Sequence, residues 1–333
     1  MNLLITTMIV YVAAAMMACW GLNLQFGETG VLNFAYIIFV AAGAYTAALF
    51  TLGPAHGFQH YFFGARLPFP VPWLIAALVG GALSLVVGLV GLRRLRGDYQ
   101  AMVMLVVSLM ATYLVSASPS FLNGSTGLAL IPAPFASSLH LSQSDYHWFY
   151  ALLALVALGL VFVVVRRVTS SPLGRTLRAV RENEEAAAAL GKNVVGMRLL
   201  VFVLGGAIGA LAGAIEVQLI GAWAPKGWTY PETFALFAAV IVGGRGNTFG
   251  VALGAILVPG LFLEGVIFLP QFLGASAIGA LQWICMGLLI LIFMYWRPQG
   301  VIPERKRQFL RPTTWTAGPE LGMNLDEAKV LRP

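Results

Sequence analysis

SPLGRTLRAVRENEEAAAALG, residues 171–191, is a charged, alanine-rich segment stranded between the apolar stretches 148–165 and 199–220. Ser171 followed by Pro172 makes a good helix start: a hydroxyl at the cap, then a proline in the first turn, where its missing N–H has no partner to lose. Gly191 after the alanine run makes a good stop. The spacing predicts a helix between these limits, whole or broken. Within it Gly174 lies between the start and the first arginine, and Arg175, Arg178 and Arg181 then recur every three residues along one side. Glu182, Glu184 and Glu185 follow, and Ala186, Ala187, Ala188 and Ala189 leave a smooth surface of small side chains that suits insertion into a groove on another protein. A solvated helix that merely links two spans reads the same way on physics alone.

What surrounds this island is a membrane protein. Hydrophobic residues make up 59% of the chain and charged residues only 10%, the composition of a polytopic all-α protein. Crossing about 30 Å of hydrocarbon takes about 20 mostly apolar residues. Stretches of that kind occur at 3–22, 31–52, 70–92, 99–118, 148–165, 199–220, 249–269 and 277–296, with a shorter one at 233–244. Lys and Arg concentrate in short cytoplasmic loops. Nine crossings with the amino terminus outside put eighteen of the twenty cations inside and leave only Arg66 and Lys226 outside. Omitting the 233–244 crossing would separate the 171–198 loop from the arginine-rich tail, so nine crossings and a cytoplasmic carboxyl terminus are expected.

The organisation is then one transmembrane domain, 1–297, and a polar cytoplasmic tail, 298–333, beginning at WRPQG. Arg305, Lys306, Arg307 and Arg311 in the tail suit anionic lipid headgroups, so the net charge of +7 calls for no nucleic acid. No Lys or Arg precedes Arg66, which favours a retained first helix over a cleaved leader. Cys19 and Cys285 fall inside spans and read as buried reduced thiols. His56, His60, His140 and His147 all fall in the outer loops 53–69 and 119–147, without convincing metal-ligand spacing. No metal site is expected.

Ionisable residues within spans are costly and are functional candidates by default, which singles out Glu216 and Glu264 for a solute pathway, although both also suit the outer rim. Asn33, Tyr36 and Tyr45 offer hydrogen bonds in the early segment. Gly243, Gly244 and Gly246, with Gly250, mark a bend where irregular backbone could line a cavity. Gly205, Gly206, Gly209 and Gly213 have the spacing of close helix packing.

Glu185-Ala186-Ala187, three residues and Gly191 match the EAA-x-x-x-G coupling motif of bacterial ABC importer permeases. The wider text resembles the membrane subunits of branched-chain amino acid importers, of the type called LivM. WGLNLQFGETGVLNFA, AAGAYTAAL, LRGDYQAMVML, NGSTGLALIP and VGGRGNTFGVALGA agree in the same order, from about residue 18 to 303. The LRGDY segment favours that type over its sister permease, the LivH type. One departure is visible, Asn33-Phe34-Ala35-Tyr36 where the family often has a serine and a histidine, and it bears on the solute.

The resemblance implies an ABC importer permease fold in the bacterial inner membrane, with two cytoplasmic ATPase subunits, a second LivH-type permease and an external solute-binding protein. It also implies a coupling role for 171–191. The chain has no G-x-x-x-x-G-K-[ST] loop, so ATP falls to the partner subunits and the chain is no enzyme by itself. Leucine, isoleucine and valine are the default solutes, and urea or short amides the alternative. An ion-coupled secondary transporter would have to recruit Glu216 or Glu264, and the island argues against it. A membrane enzyme lacks its motifs: there is no zinc signature, no nucleophile elbow and no carboxylate pair beside a histidine in the spans.

Overall fold

A computed structural model describes residues 2–55, 59–94, 97–136, 142–263 and 275–304. In chain order its α-helices are α1 Asn2–Gln25, α2 Tyr36–Leu52, α3 Val71–Arg94, α4 Gly97–Ser116, α5 Pro119–Leu122, α6 Gln143–Ser170, α7 Pro172–Glu182, α8 Glu184–Ala189, α9 Val194–Ile220, α10 Tyr230–Gly243, α11 Thr248–Ala255 and α12 Ala275–Trp296. Each of the nine apolar stretches contains a helical segment among its described residues. Six helices among the described residues, α1, α3, α4, α6, α9 and α12, are long and apolar enough to cross a membrane unaided. The chain is a multi-pass membrane protein. Its lipid-facing character is visible in residues such as Leu78, Val86, Tyr113, Leu160 and Leu291, each more than half exposed on a long apolar helix.

Two stretches differ from their expected spans, each for a local reason. The 31–52 stretch becomes helical only at Tyr36. Gly30, at φ +74°, ends the turn after α1, and the Val31 N–H reaches back to the Gln25 carbonyl at 3.0 Å. The Asn33 side chain then accepts from the Ala35 N–H at 3.1 Å and opens α2. The 249–269 stretch leaves α-geometry after Ala255 and continues as a π-helix, Ile256–Leu263, around Pro259. A proline there removes a backbone donor and crowds the preceding turn, and the wider coil accommodates both. The 233–244 stretch, expected to be short, forms the 14-residue α10, which starts at Tyr230.

At the centre is α9, with α1, α2 and α3 packed around it. Its glycines serve different neighbours. Gly205 faces the Gly21 carbonyl on α1, Gly206 faces Ser84 on α3, and Gly209 and Gly213 face Tyr36 and the Val40 carbonyl on α2. No side chain would fit at these contacts, so small residues set the helix separations. Polar ties cross the same core: Trp73 Nε1 donates to Gln218 Oε1 at 2.6 Å, Tyr150 Oη to the Ile215 carbonyl at 2.6 Å and Trp20 Nε1 to the Thr248 carbonyl at 2.8 Å.

Connections gather at two ends. At one end, the strand β1 (Leu128–Ala129) pairs antiparallel with β2 (Ala222–Trp223), Tyr61 bridges to Leu122, and the His60 N–H donates to Asn123 Oδ1 at 3.1 Å. At the other, the turn after α1, helices α7 and α8, the α10–α11 turn and residues 297–304 meet.

Candidate functional site

Residues 171–191 fold as two helices. Asn183 leaves helical geometry at φ −151°, ψ 104°, ends α7 and uses its side chain to accept from the Ala186 N–H at 2.9 Å, so α8 starts with its own cap. Gly174, Leu177 and Val180 recur at three-residue spacing and are the buried face of α7. A side chain on Gly174 would land on the Thr169 carbonyl, so only glycine lets α7 fold back this tightly against the end of α6. Ala187 joins Val180 and Val194 in a small apolar cluster, while Glu182, Glu184, Glu185, Ala186, Ala188 and Ala189 stay exposed, and Leu190 is 79% exposed. Gly191 stops the segment at φ +75°, a left-handed conformation that favours glycine.

The three arginines do not share one environment. Arg175 is exposed, but Arg178 and Arg181 turn inward. Arg178 reaches Glu28 Oε2 at 3.3 Å and Glu304 Oε1 at 3.7 Å, and Arg181 reaches Glu304 Oε2 at 2.6 Å and donates to the Gly27 carbonyl. One cluster therefore ties α7 to the turn after α1 and to the segment after α12. Glu28 is fully buried, and burial is the main cause that pushes its carboxyl up to about 7. Arg178 pulls the other way, and Glu304, a like charge, adds to the rise. On the other flank Glu184 pairs with Arg198 of α9 at 2.8 Å. A groove of about 950 Å³ opens beside this cluster, with Arg166, Arg175, Glu182 and Gly246 on its walls.

The expected pathway residues scatter. Asn33 Nδ2 donates to Gln25 Oε1 at 2.8 Å, Tyr36 Oη to the Gly205 carbonyl at 3.0 Å, and Tyr45 Oη accepts from Trp228 Nε1 at 3.3 Å. All three are buried with these bonds made inside the protein. Gly243 and Gly244 pack against Gly250 and Ile302 at the α7 end of the molecule, and Gly246 donates its N–H to Asn23 Oδ1 at 2.9 Å. Gly246 lines the groove beside the ion-pair cluster, and Glu216 lines a separate cavity of about 100 Å³ toward the opposite end of α9. Glu264 lies outside the described residues. Sequence reasoning gave no role to Glu28 or Glu304. Glu28 had a signal, a lone carboxylate between two glycines within an apolar run, and Glu304 became visible only through tertiary contacts. No cluster of three or more metal-ligating side chains occurs among the described residues.

A family model described as branched-chain amino acid transport system / permease component matches residues 3–294. The chain is 30% identical over 308 residues to the high-affinity branched-chain amino acid transport system permease protein LivM of Escherichia coli, covering 86% of this chain and 67% of that protein. It is 28% identical over 247 residues to a probable LivM of Methanocaldococcus jannaschii, covering 70% and 68%. A guanosine ABC transporter permease of Bacillus subtilis is 24% identical over 266 residues, covering 77% and 79%. No solved structure matches.

Proposed function

We propose, from the premise that the chain belongs to the branched-chain amino acid transport permease family, that it is the membrane-spanning subunit of an ABC importer for branched-chain amino acids. It forms part of the solute pathway and couples it to ATP hydrolysis on separate subunits. The observation that carries this reading is the α7–α8 pair. It presents Glu182, Glu185, Ala186 and Leu190 to solvent while Arg178 and Arg181 grip the turn after α1 and the segment after α12, and Glu184 grips α9.

Such a part transmits force. An ATPase groove that closes on the exposed face of α8 moves α7 with it, and the ion pairs carry the movement into α1, α9 and the chain after α12. The permease then exchanges inward-open and outward-open states whose populations ATP biases. On this reading α2, α10 and the α11 segment cross as well, which makes nine crossings and puts α7 and α8 on the cytoplasmic face with most of the Lys and Arg. The partners in this reading are two cytoplasmic ATPases, a LivH-type second permease and an external solute-binding protein, in the bacterial inner membrane.

Purification of the tagged chain in mild detergent from its native membrane tests this. The wild type brings ATPase subunits with it, and Glu185→Arg or Gly191→Trp releases them while membrane insertion is unchanged. Retention of the ATPases by both variants, or loss of insertion instead, overturns the assignment of α7–α8.

A further inference from the structure

The groove of about 950 Å³ beside the ion-pair cluster is bounded by the end of α6, one side of α7, the α10–α11 turn and the segment after α12. The four arginines on its walls are of two kinds. Arg178 and Arg181 are held by Glu28 and Glu304. Arg166 and Arg175 are exposed and have no carboxylate partner among the described residues. Glu182, seven residues beyond Arg175 and so about 10 Å further along α7, is the other carboxylate on the walls. The set is net positive even with Glu28 ionised, four guanidiniums against Glu28, Glu182 and Glu304.

Arg166 is seated without spending its donors. Its Cζ lies 5.4 Å from the centre of the Phe249 ring and 5.9 Å from that of Phe162. Stacking on rings steadies a guanidinium and leaves the N–H groups at its edge free for an anion. The hydroxyls of Thr169 and Ser170 on the same wall turn back to the Arg166 carbonyl, so the arginines are the donors that α6 and α7 offer.

The same residues mark the level of the membrane surface. From 148 to 165 α6 carries no charged residue, about 27 Å of helix, and Arg166 ends that run. Leu152, Val156, Leu160 and Val163, each at least half exposed, recur at three- and four-residue spacing on the face of α6 that leads to Arg166. Phe249, more than half exposed, adjoins them through its contact with Phe162. Apolar surface open to lipid thus runs up to a net-positive groove at headgroup depth, the setting in which anionic headgroups are held. A soluble anion or an acidic peptide would use the charge and leave the apolar surface idle, whereas a phospholipid uses both.

We infer that the groove binds one anionic phospholipid, its phosphate held by Arg166 and Arg175 and an acyl chain laid along the exposed face of α6 beside Phe249. The inference rests on the membrane class of the chain and holds whatever solute it carries.

The chain, purified in mild detergent with the subunits that accompany it, is titrated with phosphatidylglycerol and with phosphatidylcholine, whose choline cancels the phosphate charge. Native mass spectrometry reads the occupancy of the tightest lipid site. Expected is tighter binding of phosphatidylglycerol, weakened about fivefold by Arg166→Gln and by Arg175→Gln, the worth of one arginine at a lipid surface. Arg167→Gln, exposed on the same turn of α6 but off the groove, keeps wild-type affinity. Glycerophosphoglycerol, the same headgroup without acyl chains, displaces little of the lipid at equal concentration. The lipid comparison and this competitor use the wild type, so they stand even if a variant does not assemble. Equal affinity for the two lipids, displacement by the soluble headgroup, wild-type affinity in both groove variants, or an equal loss in Arg167→Gln overturns the lipid site. So does a site that vanishes whenever ATPase subunits are bound, which would give the groove to the subunit interface. Absence of accompanying ATPases removes the importer reading and leaves the lipid titration to decide the site by itself.

Discussion

Replacing Glu28 by glutamine isolates the cost of a buried charge at the hub of the α7 contacts. Burial is the largest influence on this carboxyl, and after the partial compensation by Arg178 it titrates at about 7 instead of near 4.5. Between those values the folded protein holds a proton that the unfolded chain has released, so stability falls as pH rises through this window and is level on either side of it. At 1.36 kcal/mol for each unit of pH the whole fall is about 3 kcal/mol. Glu28→Gln has no proton to lose, so it escapes this fall and is more stable than the wild type at pH 8.5. Thermal denaturation midpoints in detergent at pH 5.5 and 8.5 read the difference, and pH-difference infrared spectroscopy identifies the band of the protonated carboxyl that the variant lacks. A parallel loss of stability in wild type and variant refutes the reasoning, as does a carboxyl that titrates near 4.5. Either result would mean that the Arg178 pair outweighs burial.

Two further substitutions probe the same end of the molecule. Gly174→Ala drives a methyl into the Thr169 carbonyl and costs about 1–3 kcal/mol in the denaturation midpoint, as overpacking does. Arg181→Glu or Glu304→Arg alone lowers the amount of solute moved per ATP, and the two together restore part of it, because the Arg181–Glu304 pair re-forms with its charges exchanged while the Arg178–Glu304 contact and the bond to the Gly27 carbonyl do not.

Composition and charge made the membrane class and the positions of the helices legible, because a bilayer demands long apolar runs whatever the tertiary contacts. Helix ends were less legible. The late start of α2 depends on Gly30 and on the bond from Asn33 to Ala35, and the π-helix depends on how neighbours accept Pro259. The alanine and glutamate pattern of 171–191 announced a surface feature, and the break at Asn183 used a capping residue present in the sequence. What could not be read was direction. The period that placed Arg175, Arg178 and Arg181 on one side did not reveal that Arg178 and Arg181 turn inward to Glu28 and Glu304, since those partners are about 150 and 120 residues away in the chain. Asn33, Tyr36 and Tyr45 look alike as pathway donors, yet in tertiary structure their polar atoms bond to Gln25, Gly205 and Trp228. Polar groups in an apolar core must be satisfied somewhere, and sequence alone does not say whether by protein or by solute.

A single element connects the α7–α8 pair with the cavity at Glu216. α9 begins beside α8, with Arg198 held by Glu184, and eighteen residues later carries Glu216 into the cavity. At 1.5 Å per residue these side chains are separated by about 27 Å along the axis. Between them the glycines of α9 meet the Gly21 and Val40 carbonyls of α1 and α2 and the Tyr36 and Ser84 side chains of α2 and α3, so the helix is closely seated on all three. A second line runs in parallel. Arg178 and Arg181 hold the turn after α1, and α1 contributes Tyr11, Ala14 and Ala18 to the same cavity wall. On the proposed reading, a rigid displacement of α7 and α8 reaches the cavity along both α9 and α1. Their relative movement opens or closes the space between Glu216 and the α1 wall. Arg198→Ala, which frees α8 from α9 but leaves the α1 line intact, therefore lowers transport per ATP less than Arg198→Ala combined with Arg181→Ala. Coupling lost fully in the first variant would show that α9 alone carries the movement.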